Sequence, residues 1–357
     1  MVYGATGFSG AAIARRLRET GVDIILAARN EPPLRELAAA LESPFRVFDL
    51  RDAAVIARAL ADVQVVVHAA GPFVHTAAPM IEACLRSGSH YLDIAGEWPV
   101  FALAQRRGIE AAKTGIMLMP GAGFSIAVTD CLLAHAARRC PDAVRLRLAV
   151  AQPMVVSRGT FRTTLELTAG SALVREEGVV IPARVGGRRT FNYGSGERES
   201  IAVSWPDVIT GQQTTGVGNI ETYLEAPAPF ELLYRSGALA AEALGERNLH
   251  GMLWPLGRLW PDQPSSAAQQ RAVNALVVEA VDPWRRVTRF GFHTADGYGI
   301  TTTIVAAIVA RVLTGVHRTG FLTPAGMYGA DFVTNLGCAW PYDATVGVVT
   351  PRGAPPP

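Results

Sequence analysis

The chain of 357 residues contains one lysine, Lys113, among its 33 basic residues. Any chemistry that needs a lysine amine must use Lys113 or be set aside. Cysteine is scarce too. Cys84, Cys131, Cys140 and Cys338 form no C-x-x-C pair, and four in so long a chain make no disulfide framework. Basic residues never run beyond two in succession and the net charge is +2, which leaves no electrostatic footprint for nucleic acid. Long apolar runs are missing. Ile300–Leu313 is too short to span a bilayer and is interrupted by Arg311. The first residues hold no basic segment leading into an apolar one, so no secretory signal is read. The expectation is a cytoplasmic protein with free thiols and no membrane span. Charged residues are 18%, below the usual share of about 25%. With 49% hydrophobic residues, the chain has material for a large core, and its length suggests about two domains.

What is present first is alternation. Short β-rich runs occur at Ile24–Ala28, Arg46–Phe48, Val63–Ala69, Tyr91–Ile94 and Ile116–Met119. Helical patterns separate them at Phe8–Glu19, Pro33–Leu41, Ala53–Ala61, Thr76–Ser87 and Pro99–Lys113. Continuously apolar strands alternating with helices read as α/β: a doubly wound parallel sheet of the Rossmann type over residues 1–124. Residues 125–296 read differently. A helix near Ala127–Arg139 leads into Val144–Ala151, whose apolar and basic residues alternate. A helix near Thr160–Glu176 and β-like stretches with glycine turns follow. This predicts a second, mixed α/β domain with a largely antiparallel sheet and one wet face. Pro227–Gln270 reads as helical and loop-rich, a cap or interface, and Arg286–Thr294 as a final strand. The helix Ile300–Thr314 opens a C-terminal helical segment, 297–335, and 350–357 reads as a disordered tail.

The opening MVYGATGFSG places Gly4, Gly7 and Gly10 between a strand pair and a helix. Small residues there let the backbone turn sharply, approach a pyrophosphate and pack helix against strand. The helix start near Phe8 offers unpaired N–H groups to phosphates. Gly4, Thr6, Gly7, Phe8 and Gly10 are thus candidate cofactor-binding residues. The position after the second strand selects the cofactor: an acid would grip the ribose 2′-hydroxyl, whereas Arg29-Asn30 favours the 2′-phosphate of NADP. Asp49, with Leu50, would flank the adenine. Only Met1–Tyr3 precede Gly4, shorter than a central strand of about five residues. Either the strand starts late or residues upstream of Met1 are missing from the numbering.

Three further segments reach later strand ends: Ala69–Phe73 (AAGPF), His90–Glu97 (HYLDIAGE) and Pro120–Ser125 (PGAGFS). With GATGFSG, and with Ser157–Thr163, Thr215–Tyr223 and Gly297–Thr302 further on, the set resembles the saccharopine dehydrogenase-like oxidoreductases. That family includes saccharopine reductases and trans-acting enoyl reductases. The likeness runs from about Val2 to Gly329. It implies an NADP-binding Rossmann domain joined to a mixed domain, with a C-terminal helix packing back on the first. It implies that Ala70, Gly71, Pro72 and Phe73 line the nicotinamide side, with Asp93, Ala95, Gly96 and Glu97 across the cleft. Two positions depart from the pattern. Many relatives carry an acid where Ser125 stands and a proline where Ala127 stands, so any role of that acid is absent here.

Other chemistries are pruned by residue type. Tyr-x-x-x-Lys catalysis fails because Ile109 lies four before Lys113, and no Gly-Lys pair offers a P-loop. Gly123-Phe124-Ser125-Ile126-Ala127 approximates a nucleophile elbow, but Asp130 and His135 follow on the same helix rather than on later strand ends. Cys131 and His135 share a helix face, and two ligands do not make a metal site. Hydride transfer asks for orientation, exclusion of water and one proton donor. Asp93, Glu97, His75 and Tyr223 are the candidate catalytic residues, and Arg158 and Arg162 could bind an anionic substrate. The reading is an NADPH-dependent reductase of a C=N or activated C=C bond, acting as a homodimer on a small or acyl substrate. The alternative is a non-catalytic NADP(H)-binding sensor or partner module.

Overall fold

The computed structural model describes residues 1–152, 172–183, 187–225, 273–342 and Ala344. In the first third, strands and helices alternate as the apolar pattern requires: β1 (Val2–Tyr3), α1 (Phe8–Glu19), β2 (Leu26–Ala28), α2 (Glu31–Ala40), β3 (Phe45–Val47), α3 (Ala53–Leu60) and β4 (Val65–His68). They continue with α4 (Phe73–Ser87), β5 (His90–Asp93), α5 (Trp98–Arg106), α6 (Gly108–Lys113) and β6 (Met117–Met119). The helix expected over Pro99–Lys113 is broken at Arg107. Just past the break Gly108 packs against β15: a Cβ there would lie 2.9 Å from the Phe321 Cβ.

The remaining described elements are α7 (Phe124–Arg139), β7 (Arg145–Ala151), β8 (Leu173–Glu176), β9 (Val179–Pro182), β10 (Arg188–Asn192), β11 (Glu197–Ala202), α8 (Asp207–Thr215) and β12 (Ile220–Glu225). Then come β13 (Asn274–Val281), β14 (Val287–Thr294), α9 (Gly297–Leu313), β15 (Gly320–Phe321), α10 (Pro324–Tyr328), α11 (Phe332–Asn335) and β16 (Trp340–Tyr342). Residues 173–176, expected to end a helix, form β8 instead, because they pair with β9 through Leu173 and Pro182. The rest of that expected helix, Arg158, Arg162, the stretch 227–270 and the tail lie outside the described residues.

The first sheet has the order β15-β6-β5-β4-β1-β2-β3, with every pair parallel. All carboxyl ends therefore meet one edge, and the strand order reverses between β1 and β4. The second sheet runs β10-β11-β12-β7-β13-β14-β16, with β8 joining β12. It is antiparallel except for β7 against β12. In β7, Leu146, Leu148 and Val150 join the core with Val128 and Leu132 of α7. The alternate residues Arg145 and Arg147 reach Glu221 on the other face. On that face Glu279 is buried beneath Arg147, Arg189 and Arg289, at 3.6, 2.8 and 3.0 Å. The face expected to be wet is instead buried: beside these ion pairs, Ala149, Ala151, Phe191, Tyr193 and Val277 are buried as well.

One apolar core runs from Val2, Ile13 and Leu26 through Val128 and Leu132 to Leu146, Leu276 and Phe292. Buried α7 is the element shared by both sheets. The C-terminal segment returns to the first sheet: the Tyr298 ring of α9 meets Phe8 edge-on at 5.0 Å, and β15 pairs with β6.

Candidate functional site

Gly4 leaves β1 at φ +85°, and its backbone abuts the end of β4. A Cβ on Gly4 would lie 2.8 Å from the Ala69 carbonyl carbon, and one on Gly10 would lie 2.1 Å from the Gly4 oxygen. The three-glycine loop is therefore a cradle that side chains would fill. It opens the first turn of α1, whose N–H groups lack intrahelical acceptors. Thr6 and Gly7 are exposed at its rim. This is the backbone approach a pyrophosphate requires.

Arg29 and Asn30 follow β2 and are exposed. Arg29 is close enough to Asp49 to help hold its carboxyl below the usual range. Asp49 lies beyond β3 and is held by Arg51, whose Nε donates to Oδ2 at 2.7 Å. Hydrogen bonds from Arg51 keep the Asp49 carboxyl below the usual range.

Ala70, Gly71 and Pro72 link β4 to α4, and Phe73 is buried at the helix start. Glu97, at the N-cap of α5, is 1% exposed. Its Oε1 accepts from the Phe73 N–H at 3.0 Å and its Oε2 from the Gly96 N–H at 2.9 Å. Glu97 thus binds the β4–α4 loop to the β5–α5 loop. His75 is exposed on the first turn of α4.

Asp93 ends β5 and is fully buried. The Tyr91 hydroxyl donates to Oδ2 at 2.7 Å, and the N–H groups of Ala95 and Gly121 donate to Oδ1 at 2.9 and 2.8 Å. Burial pushes its carboxyl up to about 6, against the pull of these donors. A folded value above the ordinary 3.8 means that folding binds the proton more tightly. The contribution to stability is then fullest below about pH 4 and declines as pH rises through about 6. Relative to Asp93→Asn, the unmodified protein should lose about 3 kcal/mol between those limits, read from denaturant melts. A difference that does not vary with pH would refute this.

Sequence reasoning passed over His68 and Thr76. His68 is the last residue of β4 and fully buried, and Thr76 lies 3.0 Å from its Nε2. Burial pushes the imidazole down to about 3, so it is neutral. The available signal was a histidine closing the apolar run VVVH, since a polar group buried in a parallel strand needs a partner.

Opposite these loops stand α7, α9 and the second domain. A Cβ on Gly96 would lie 4.0 Å from the Ser125 Oγ. The Trp205 indole donates to the Ser125 carbonyl at 2.9 Å, and the Phe124 N–H to Thr301 Oγ1 at 3.0 Å. Ile94 and Thr301 close on Gly123. Tyr223 is not brought to this group. In β12, Thr222 and Leu224 are buried on the core side, so Tyr223 points to the opposite face, where its hydroxyl donates to Glu221 at 2.6 Å. Burial and Glu221 raise its pKa. No hydrolase triad assembles either. Asp130 accepts from the Thr214 hydroxyl and the Ala325 N–H, and the His135 ring packs on Phe290 and Phe292. Among the described residues no group of three metal-ligating side chains occurs, and no helix is long and apolar enough to cross a membrane.

The three-glycine turn and the parallel edge define a dinucleotide-binding domain of Rossmann type. Residues 1–119 match the family model of the saccharopine dehydrogenase NADP-binding domain. The likeness to that NADP-binding domain thus covers the first third of the chain. A trans-acting enoyl reductase of Mycobacterium ulcerans (strain Agy99) is 30% identical over 154 residues, covering 40% of this chain and 36% of that protein. One from Mycobacterium leprae (strain TN) is 32% identical over 142 residues, 36% of this chain and 33% of that protein. The match thus spans about a third of these relatives' length. In shape, the chain is similar to apo saccharopine dehydrogenase (L-Glu forming) from Saccharomyces cerevisiae, with TM-score 0.61, 11% identity, and 95% and 97% of the two chains covered. Homospermidine synthase from Legionella pneumophila, solved with NAD, gives TM-score 0.66 at 10% identity, covering 100% of this chain and 93% of that one. These two likenesses establish the fold.

Proposed function

We propose that the chain is an NADPH-dependent reductase of an activated C=C bond, the enoyl group of an acyl substrate. The observation that carries this reading is the character of the cleft side opposite the cofactor loops. Ile94, Phe124, Trp205 and Thr301 meet the β5 and β6 ends. The acids there, Asp93 and Glu97, already accept protein donors. The apolar and aromatic side chains of Ile94, Phe124 and Trp205 suit an acyl chain. The name of the mycobacterial relatives, trans-acting enoyl reductase, supports the same choice over C=N reduction.

In this reading Gly4, Thr6, Gly7, Phe8 and Gly10 hold the pyrophosphate, Arg29 with Asn30 the 2′-phosphate, and Asp49 flanks the adenine. Bound NADPH supplies the hydride. Ala70–Phe73 orient the nicotinamide, Glu97 and Asp93 fix the loops around it, and α7, α9 and the second domain exclude water. His75, exposed beside the loop, is the candidate proton donor, delivering to the carbon next to the carbonyl. The engagement of both buried acids also favours one alternative: a protein that binds NADP(H) without turnover.

The test is NADPH oxidation with an α,β-unsaturated acyl thioester and, separately, with a cyclic imine. Oxidation with formation of the saturated thioester is expected. Turnover of the imine alone would replace the substrate class. Tight NADPH binding without turnover of either would establish the non-catalytic alternative.

A further inference from the structure

The loop that would face the nicotinamide is fixed from beneath by a pair of side chains outside the cofactor's reach. The Thr76 hydroxyl lies 2.7 Å from the Ala70 carbonyl, 3.1 Å from the Pro72 carbonyl and 3.0 Å from His68 Nε2. A hydroxyl has one proton. The two carbonyls can only accept, so the proton belongs to them, and the shorter contact places it on Ala70. Thr76 Oγ1 must then accept from His68, which fixes the imidazole as the Nε2–H tautomer. Nδ1 is left as a bare acceptor, and it is buried with no partner among the described residues. The ring is wedged between Tyr3 at 5.5 Å, Phe73 at 5.3 Å and Tyr91 at 6.2 Å. An orphan acceptor in an apolar core is costly. It persists here because the other nitrogen is committed to the loop.

The same loop is the one against which the Gly4 turn packs, at Ala69 and Ala70. Its far end is held independently by Glu97 on the Phe73 N–H. We propose that His68 and Thr76 form a positioning clamp that sets the backbone of Ala69–Pro72, and through it the placement of the nicotinamide half of bound NADP(H). The clamp itself touches neither cofactor nor substrate. The inference rests on the proposed cofactor reading, so its test separates the two halves of the ligand.

The experiment compares NADPH with adenosine 2′,5′-bisphosphate, which carries only the adenosine half, on the full chain. Thr76→Val keeps the shape and removes the hydroxyl. It should weaken NADPH about tenfold, the scale of a small misplacement, and change the emission of the bound nicotinamide. Affinity for the bisphosphate should stay within about twofold, since its contacts lie at the other loops. Thr76→Ser restores the hydroxyl and should restore both NADPH readouts. His68→Gln, whose amide can donate as Nε2–H does, should retain more NADPH affinity than His68→Met, which cannot. Unchanged NADPH affinity and emission in Thr76→Val would overturn the proposal. So would an equal loss of both ligands, which would make the pair a general support of the domain. If the unmodified protein binds neither ligand, it is the cofactor reading that fails.

Discussion

Gly10→Ala is expected to abolish measurable NADPH binding, with a loss of at least about 100-fold, or ~3 kcal/mol. The new methyl would stand 2.1 Å from the Gly4 oxygen, 2.8 Å from its carbonyl carbon and 3.2 Å from the Ala5 Cα. All three are backbone atoms, so no side chain can rotate away. Either α1 moves off β1 or the Gly4 turn opens, and both displace the N–H groups proposed to hold the phosphates. Overpacking of this kind also costs stability, about 1–3 kcal/mol. Gly21 provides the control. It has positive φ, +78°, and nothing lies near its would-be Cβ. Gly21→Asn should therefore lower the melting temperature slightly and leave NADPH affinity intact. A Gly10→Ala protein that binds NADPH normally would show that the cradle is only a tight turn.

Glu97 substitutions should act on turnover instead. In Glu97→Gln one side-chain oxygen can still accept from Phe73, but the amide NH2 then confronts the Gly96 N–H, donor against donor. In Glu97→Ala both donors lose their partner, and each unsatisfied buried group costs about 1–3 kcal/mol. Either change loosens the join between the β4–α4 and β5–α5 loops. At saturating NADPH, the reduction rate should fall by about 100-fold, with affinity for adenosine 2′,5′-bisphosphate unchanged. A normal rate in both variants would reduce Glu97 to a structural tie without bearing on the reaction.

The glycine spacing and the apolar strand runs were legible in the sequence because each follows from a local requirement. A turn needs small residues, and a covered parallel strand needs apolar ones. Local signals also located the helix at Phe8–Glu19 to the residue. Contacts between distant segments were not legible. The close packing of Gly108 on Phe321 joins residues more than two hundred positions apart in sequence. The commitment of Asp93 to Gly121, and of Glu97 to Phe73, depends on how neighbouring strand ends meet. Tyr223 was misjudged for a related reason. Strand alternation says that residues 222 and 223 face opposite ways, but only the packing of α7 says which way is inward. His68 hid for the opposite cause: a single histidine ending an apolar run reads as core until its Thr76 partner is seen.

In the proposed NADPH site, Arg29 makes the choice of cofactor. Titrating the unmodified protein and Arg29→Asp with NADPH and with NADH tests it most directly. The unmodified protein should bind NADPH about tenfold or more tightly than NADH, and Arg29→Asp should lose about 1–3 kcal/mol toward NADPH while keeping NADH. Equal affinity of the unmodified protein for both cofactors would contradict the account.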